Sequence, residues 1–160
     1  AVPKLRKILK EPNRKDVEKW RAVSSLGSIG PDAKSAGSDL LAYATAGLRS
    51  DLGVRTAAAN EAVKSLAAIG ASDASPQLIK LFIELSGGRD ILDAEQHDVT
   101  RLQLLTTIQI LAKPQEARAL IPVLEAIVGE SSSRDASNTS GFRRAVERVA
   151  EQYLQSLKLK

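Results

Sequence analysis

One short motif occurs twice in this sequence, as LGSIG at residues 26–30 and as LAAIG at residues 66–70. A weaker third copy, IQILA, follows at residues 108–112. The final glycine suits a helix C-terminus, because glycine takes the left-handed conformation without a Cβ clash. A proline follows the second and third copies, at Pro76 and Pro122, and suits the first turn of the next helix. The spacing therefore predicts helix pairs that repeat about every forty residues.

Apolar side chains recur at helical spacing along most of the chain. We expect helices over residues 3–10, 15–29, 35–49, 50 or 51 to 69, 76–86, 98–112, 117–128 and 142–158. Asn13 is the expected N-cap of the second helix. Residues 87–97 and 129–141 are expected to be loops, because they are rich in glycine, serine and acidic residues. No segment alternates for long between polar and apolar residues, so the sequence predicts an all-α protein.

The composition predicts an aliphatic core, since 43% of the residues are hydrophobic and only 3% are aromatic. Trp20 and Phe82 fall at core spacing, and we expect both to be buried. The chain has no cysteine, which excludes disulfides, thiolate metal sites and cysteine nucleophiles. No apolar run approaches the roughly 18 residues of a membrane span, so we expect a soluble protein. The start at Ala1 without a Met is compatible with removal of a presequence or with a piece of a longer chain, and no compartment is predicted.

The repeated motifs resemble a known family of helical repeats. The sequences AVPKLRKILKEPN at residues 1–13 and SLGSIGPDAKSA at residues 25–36 are similar to HEAT repeats, specifically the lyase-type HEAT-like repeats. The repeats are clear over residues 1–82, whereas residues 98–158 resemble degenerate repeats. The resemblance implies a right-handed α-α superhelix of about three to four helix pairs in a single domain over residues 1–160. It also implies a scaffold that holds a protein partner, and no catalytic residues.

The net charge of +4 is unevenly distributed. Residues 1–21 carry eight basic and three acidic side chains, residues 142–160 carry five basic and two acidic ones, and the middle is mildly acidic. The predicted partner-binding residues are Lys4, Arg6, Lys7, Lys10, Arg14 and Lys15. We expect these residues to contact a protein partner, as in a scaffold or an accessory subunit of a larger assembly. Nucleic-acid binding is the alternative, with an affinity that falls steeply with salt; the acidic middle and the few aromatic residues favour a protein.

The only histidine, His97, lies in an acidic segment at residues 90–98. Oxygen ligands from such a segment suit a divalent cation, but the spacing matches no EF-hand loop. We therefore expect a solvated loop in which Asp98 caps a helix. The sequence contains no nucleophile-elbow pattern and no phosphate-binding glycine-rich motif. We expect no enzyme activity, no metal and no cofactor. A third hypothesis, a lyase-like chaperone for a prosthetic group, comes only from the resemblance.

Overall fold

A computed structural model describes residues 1–50, 53–87, 94–131 and 141–159. Within these ranges all regular structure is helical, which confirms the predicted all-α class. The chain forms two compact units, the N-terminal unit (Ala1–Ala74) and the C-terminal unit (Ser75–Lys160). None of the described helices has the length and apolar character needed to cross a membrane.

The N-terminal unit contains the helices predicted for this part of the chain, to within a few residues. They are α1 (Val2–Lys10), α2 (Asp16–Ile29), α3 (Gly37–Leu48) and α4 (Gly53–Ala68), with 3₁₀ segments at Gly30–Ala36 and Ser72–Ala74. Both motif glycines end a helix as predicted, because Gly30 has a φ of 73° and Gly70 a φ of 66°. Residues with a side chain rarely adopt these angles.

The start of α2 differs from the prediction, because its N-cap is Lys15 and not Asn13. The Glu18 carboxylate accepts a hydrogen bond from the backbone N–H of Lys15 at 3.2 Å. The backbone N–H of Glu18 in turn donates to the Lys15 carbonyl at 2.9 Å. Since the helix begins at Asp16, Asn13 lies too early in the chain to satisfy the N–H groups of the first turn.

Helices α2 and α4 run parallel to each other. Asp16 contacts Arg55 at the start of both helices, and Ser24 with Glu61 and Val23 with Ser65 are in contact farther along both. Helix α1 packs against α2 and α3, and α3 packs against α4. In the N-terminal unit, the two helices that end in the repeated motif, forty residues apart in the sequence, therefore lie side by side.

Trp20 does not lie on the buried side of α2. Ala22, Val23 and Leu26 are buried, whereas the Trp20 side chain is 48% exposed. With 3.6 residues per turn, Trp20 lies roughly 120° around the helix from Leu26, so the core face is filled without it. The prediction that Trp20 is a core residue is therefore wrong. The same prediction for Phe82 is confirmed, because that side chain is fully buried.

The C-terminal unit is also helical throughout its described residues. Its elements are α5 (Ser75–Gly87), α6 (Ala94–Leu111), α7 (Pro114–Ala117), a 3₁₀ segment (Arg118–Leu120), α8 (Ile121–Ser131) and α9 (Gly141–Lys158). Helix α6 packs against α5 and α9, and α9 packs against α8. The Ser75 hydroxyl donates to the Glu116 carboxylate at 2.7 Å, which connects α5 to α7.

Two predictions for this unit need correction. The helix expected over residues 117–128 is divided before α8, because Pro122 has no N–H to continue the preceding turn. The loops expected over residues 87–97 and 129–141 are helical at their described ends, since α5 reaches Gly87, α6 begins at Ala94, α8 reaches Ser131 and α9 begins at Gly141. Residues 88–93 of the first loop, and 132–140 of the second, lie outside the described residues.

Candidate functional site: a basic groove in the N-terminal unit

The six predicted partner-binding residues lie in one continuous region. Lys4, Arg6, Lys7 and Lys10 are on α1, and Arg14 and Lys15 are in the turn that leads into α2. The structure thus places them in neighbouring elements of one unit, but their immediate surroundings divide them into three groups.

Two of the six hold α1 against α3. The Arg6 Nε atom lies 2.5 Å from Asp39 Oδ2, and Lys10 Nζ lies 3.2 Å from Asp39 Oδ1. The Asp39 side chain is only 9% exposed, so its carboxylate meets both cations at the edge of the core. These contacts give Arg6 and Lys10 a structural role that sequence patterns did not indicate.

Two more cations form exposed pairs with acidic neighbours. Lys7 Nζ lies 3.9 Å from Glu11 Oε1, and Arg14 bonds both to Glu11 and, at 3.4 Å, to Glu18. The hydrogen bond from Arg14 lowers the pKa of the Glu11 carboxyl, and the same bond raises the pKa of Arg14. The last two of the six, Lys4 and Lys15, are exposed and form no ion pair in the described part of the chain.

Arg14 and Lys15 line an open groove of about 420 Å³, which we call the basic groove. Its full lining is Pro12, Arg14, Lys15, Asp16, Lys19, Tyr43, Ala46, Gly47 and Arg55. Four of these side chains are cationic and one is a carboxylate. Arg55 Nε lies 3.9 Å from Asp16 Oδ2, across the groove between α4 and α2.

The packing of three helices creates this groove. Because α2 and α4 run parallel, both begin at this edge of the unit, and the positive ends of their dipoles add to the field of the cations. Helix α3 approaches α4 closely at Gly47, where a Cβ atom would lie 2.7 Å from Ala59 Cβ and 2.9 Å from the Arg55 carbonyl oxygen. Small residues at positions 46 and 47 therefore leave the space open.

Tyr43 adds a neutral hydrogen-bonding group to the wall of the groove. Burial raises the pKa of its hydroxyl, and the charge of Asp16 raises that pKa further, while Arg55 opposes the shift. The hydroxyl is therefore protonated at neutral pH and available as a donor. An anion in the groove would meet cations together with an uncharged O–H group.

Sequence reasoning missed the three other lining residues that can donate hydrogen bonds to an anion from their side chains: Lys19, Tyr43 and Arg55. One signal was present, because Arg55 lies forty positions after Lys15 and thus occupies the same place in the second repeat. Equivalent positions on parallel neighbouring helices lie close together, so the repeat itself brings the two side chains to one edge. Tyr43 had no comparable signal, since only the packing of α3 places it there.

A second charged cluster lies in the C-terminal unit, where a solvated loop was expected. Asp98 is buried within α6, and its Oδ1 atom lies 3.8 Å from Arg101 Nη1 and 3.7 Å from Arg143 Nη1. His97 Nε2 contacts the carbonyl oxygen of Leu85 at the end of α5. The prediction that Asp98 caps a helix is wrong, because α6 begins at Ala94.

The described residues contain no group of three or more histidine or acidic side chains that could hold a metal ion. The acidic segment at residues 90–98, which was considered as a cation site, lies partly outside the described residues, at residues 90–93.

No protein-family model matches the sequence, and neither a curated protein nor a solved structure shows significant similarity to it.

Proposed function

We propose that this chain is a non-catalytic binding module, a scaffold or accessory subunit of a larger assembly, whose N-terminal unit holds an acidic segment of a protein partner. The observation that most supports this proposal is the basic groove, where four cationic side chains and one carboxylate line about 420 Å³. A concave surface lined mainly by one sign of charge concentrates ligands of the opposite sign.

Helix α1 extends the positive surface beyond the groove. Lys4 and Lys7 are exposed on it, and Lys7 forms only a loose pair with Glu11. Exposed ion pairs contribute about 0–1 kcal/mol, so the carboxylates of a partner can replace Glu11 beside Lys7 at little cost. An acidic segment would then run from α1 into the groove.

The acidic residues within this surface favour a protein over a nucleic acid. Glu11, Asp16 and Glu18 lie among the cations. A DNA duplex presents one negative charge per roughly 1.7 Å and would meet these carboxylates at close spacing. A protein segment can instead place single carboxylates opposite single cations.

For the fold, we propose that the helix pairs are HEAT-type repeats wound as a right-handed superhelix. The parallel packing of α2 and α4 at a forty-residue interval supports this proposal. The two glycines with positive φ at equivalent positions support it further.

Cross-linking of the full chain in an extract of its native source tests the proposed function. We expect one protein to be cross-linked to Lys15 or Lys19 through an acidic segment. Its recovery with the chain in the absence of cross-linker should fall about tenfold or more in the variant Lys15→Glu/Lys19→Glu. The variant Lys34→Glu/Arg148→Glu is the matched control, because it makes the same charge change at two exposed positions outside the groove.

Equal recovery with the two variants would remove the groove from the interaction and contradict the proposal. Recovery that nuclease abolishes would instead identify a nucleic acid as the partner. Loss of recovery in the groove variant alone, insensitive to nuclease, is the result that the proposal requires.

A further inference from the structure

The cations of the basic groove differ in whether they already have an acidic partner. Arg14 pairs with Glu11 and Glu18, and Arg55 pairs with Asp16. Lys15 and Lys19 form no ion pair with any described residue. The groove therefore holds two positive charges with which no described carboxylate pairs.

These two lysines are placed to reach a single ligand group. They are four positions apart, and the backbone N–H of Lys19 donates to the Lys15 carbonyl at 3.2 Å, which closes a helical turn between them. Both side chains line the groove, with Lys15 as the extended N-cap residue of α2 and Lys19 in the first turn of the helix. Two flexible ammonium groups that line one groove can bind one tetrahedral anion together.

The charge of a phosphate monoester matches that of the two lysines. Such a group carries about −1.5 to −2 at neutral pH and three strong acceptor oxygens. A single carboxylate would leave one ammonium group unmatched, and two carboxylates would repel each other in the same space. The Tyr43 hydroxyl offers a further donor to a phosphate oxygen.

The size of the groove is compatible with a phosphorylated side chain. Its volume of about 420 Å³ falls within the roughly 300–1,000 Å³ of ordinary ligand sites. Ala46 and Gly47 leave room beside Tyr43 for the atoms that carry the phosphate. The groove opens to solvent, so a segment of another protein can present such a side chain to it.

We propose that the basic groove binds a phosphate monoester on a phosphorylated side chain of the partner, with Lys15 and Lys19 as its principal ligands. This inference rests on the proposed function, since it specifies the kind of acidic segment that is bound. Phosphorylation of the partner would then control the assembly.

The test is titration of the full chain with four probes at constant ionic strength. The probes are inorganic phosphate, acetate, a short Gly–Ser peptide with one phosphoserine, and the same peptide with glutamate in place of phosphoserine. Binding is followed by amide chemical shifts and by the fluorescence of Trp20, the single tryptophan, which follows Lys19 on α2. We expect inorganic phosphate and the phosphopeptide to saturate, with shifts centred on residues 14–20 and 43–47.

Acetate and the glutamate peptide should bind roughly tenfold more weakly, because a monoanion matches only one of the two lysines. The variant Lys15→Gln/Lys19→Gln should weaken phosphopeptide binding by about tenfold or more. The variant Lys34→Gln/Lys113→Gln removes two exposed lysines outside the groove and the basic surface of α1, and it should bind as the wild type does.

Two results would overturn the inference. One is equal binding of the phosphoserine and glutamate peptides, or no loss in the groove variant. The other is saturation by inorganic phosphate without any binding of the phosphopeptide, which would make the groove a site for a free anion. The proposed function would survive the first result if the cross-linked partner were still lost in Lys15→Glu/Lys19→Glu, so the two failures are distinguishable.

Discussion

The Ser65 hydroxyl on α4 donates a hydrogen bond of 3.2 Å to the backbone carbonyl of Val23 on α2. Gly27 lies one turn after Val23, and a Cβ atom at that position would come within 2.6 Å of Ser65 Oγ and 3.1 Å of Ser65 Cβ. The absence of a side chain at Gly27 therefore allows the two parallel helices to approach. This explains why the first motif has glycine where the second has Ala67.

We predict that Gly27→Ala destabilises the protein by about 1–3 kcal/mol, because the added methyl group overpacks the contact between α2 and α4. The loss should occur although alanine is the better helix former by about 1 kcal/mol. Chemical denaturation measures the change. Gly129→Ala is the matched control, since Gly129 lies within α8 and a Cβ there meets no atom within 4 Å. The control should be neutral or stabilising.

The double variant Gly27→Ala/Ser65→Ala identifies the source of that loss. Removing the Ser65 hydroxyl takes away the atom nearest to the new methyl group. The double variant should therefore lose less stability than the sum of the losses in the two single variants. Full additivity would show that the cost arises elsewhere, and that the close approach of Gly27 and Ser65 does not limit packing.

A second prediction concerns Asp39, which holds two cations of α1. Asp39→Asn should lower the free energy of unfolding by about 1 kcal/mol, since the amide cannot compensate Arg6 and Lys10. The loss should shrink at high salt, because screening already weakens partly exposed pairs in the wild type. Asp32→Asn is the control, as Asp32 is exposed and no ion pair joins it to a described residue. An equal loss in both variants would contradict the role given to Asp39.

The local signals of the sequence were sufficient for much of this fold. Gly30 and Gly70 marked helix ends because the left-handed conformation is a property of the single residue. The start of α6 was missed, although Ala94, Glu95 and Gln96 are good helix formers, because neighbouring glycine and acidic residues suggested a loop. The basic surface was located, but its groove was not, since Tyr43 and Arg55 reach it only through packing.

The error at Trp20 leads to a third prediction. Trp20 precedes the buried Val23 by three positions, a helical spacing, but it lies roughly 120° around the helix from Leu26 and outside the buried face. We expect Phe82→Ala to cost about 3–5 kcal/mol, because it leaves a cavity in the core. Trp20→Ala should cost much less, since half of that side chain already meets solvent. Thermal unfolding distinguishes the two, and a comparable loss in both variants would contradict the placement of Trp20 at the surface.

A fourth prediction follows from the position of His97 between charged neighbours. Burial lowers the pKa of its imidazole, and the charges of Arg101 and Arg143 act in the same direction. The carbonyl of Leu85 and the charge of Asp98 oppose the shift without reversing it. The folded protein therefore holds His97 neutral at a pH where the unfolded chain already binds a proton.

The lowered pKa of His97 makes the folded protein less stable at acidic pH. Below the ordinary histidine pKa of about 6.5, the unfolded state binds more protons than the folded state, so stability falls as the pH falls. The stability that depends on a neutral His97 is fully present above that pH and is lost progressively as the pH falls toward the lowered pKa of the folded state.

His97→Gln keeps a donor for the Leu85 carbonyl but cannot titrate. Since His97 is the only histidine, the difference between the two unfolding free energies isolates its titration. We expect the wild type to lose stability relative to His97→Gln as the pH falls below about 6.5. Parallel curves for the two proteins would show that the folded and unfolded states share one histidine pKa.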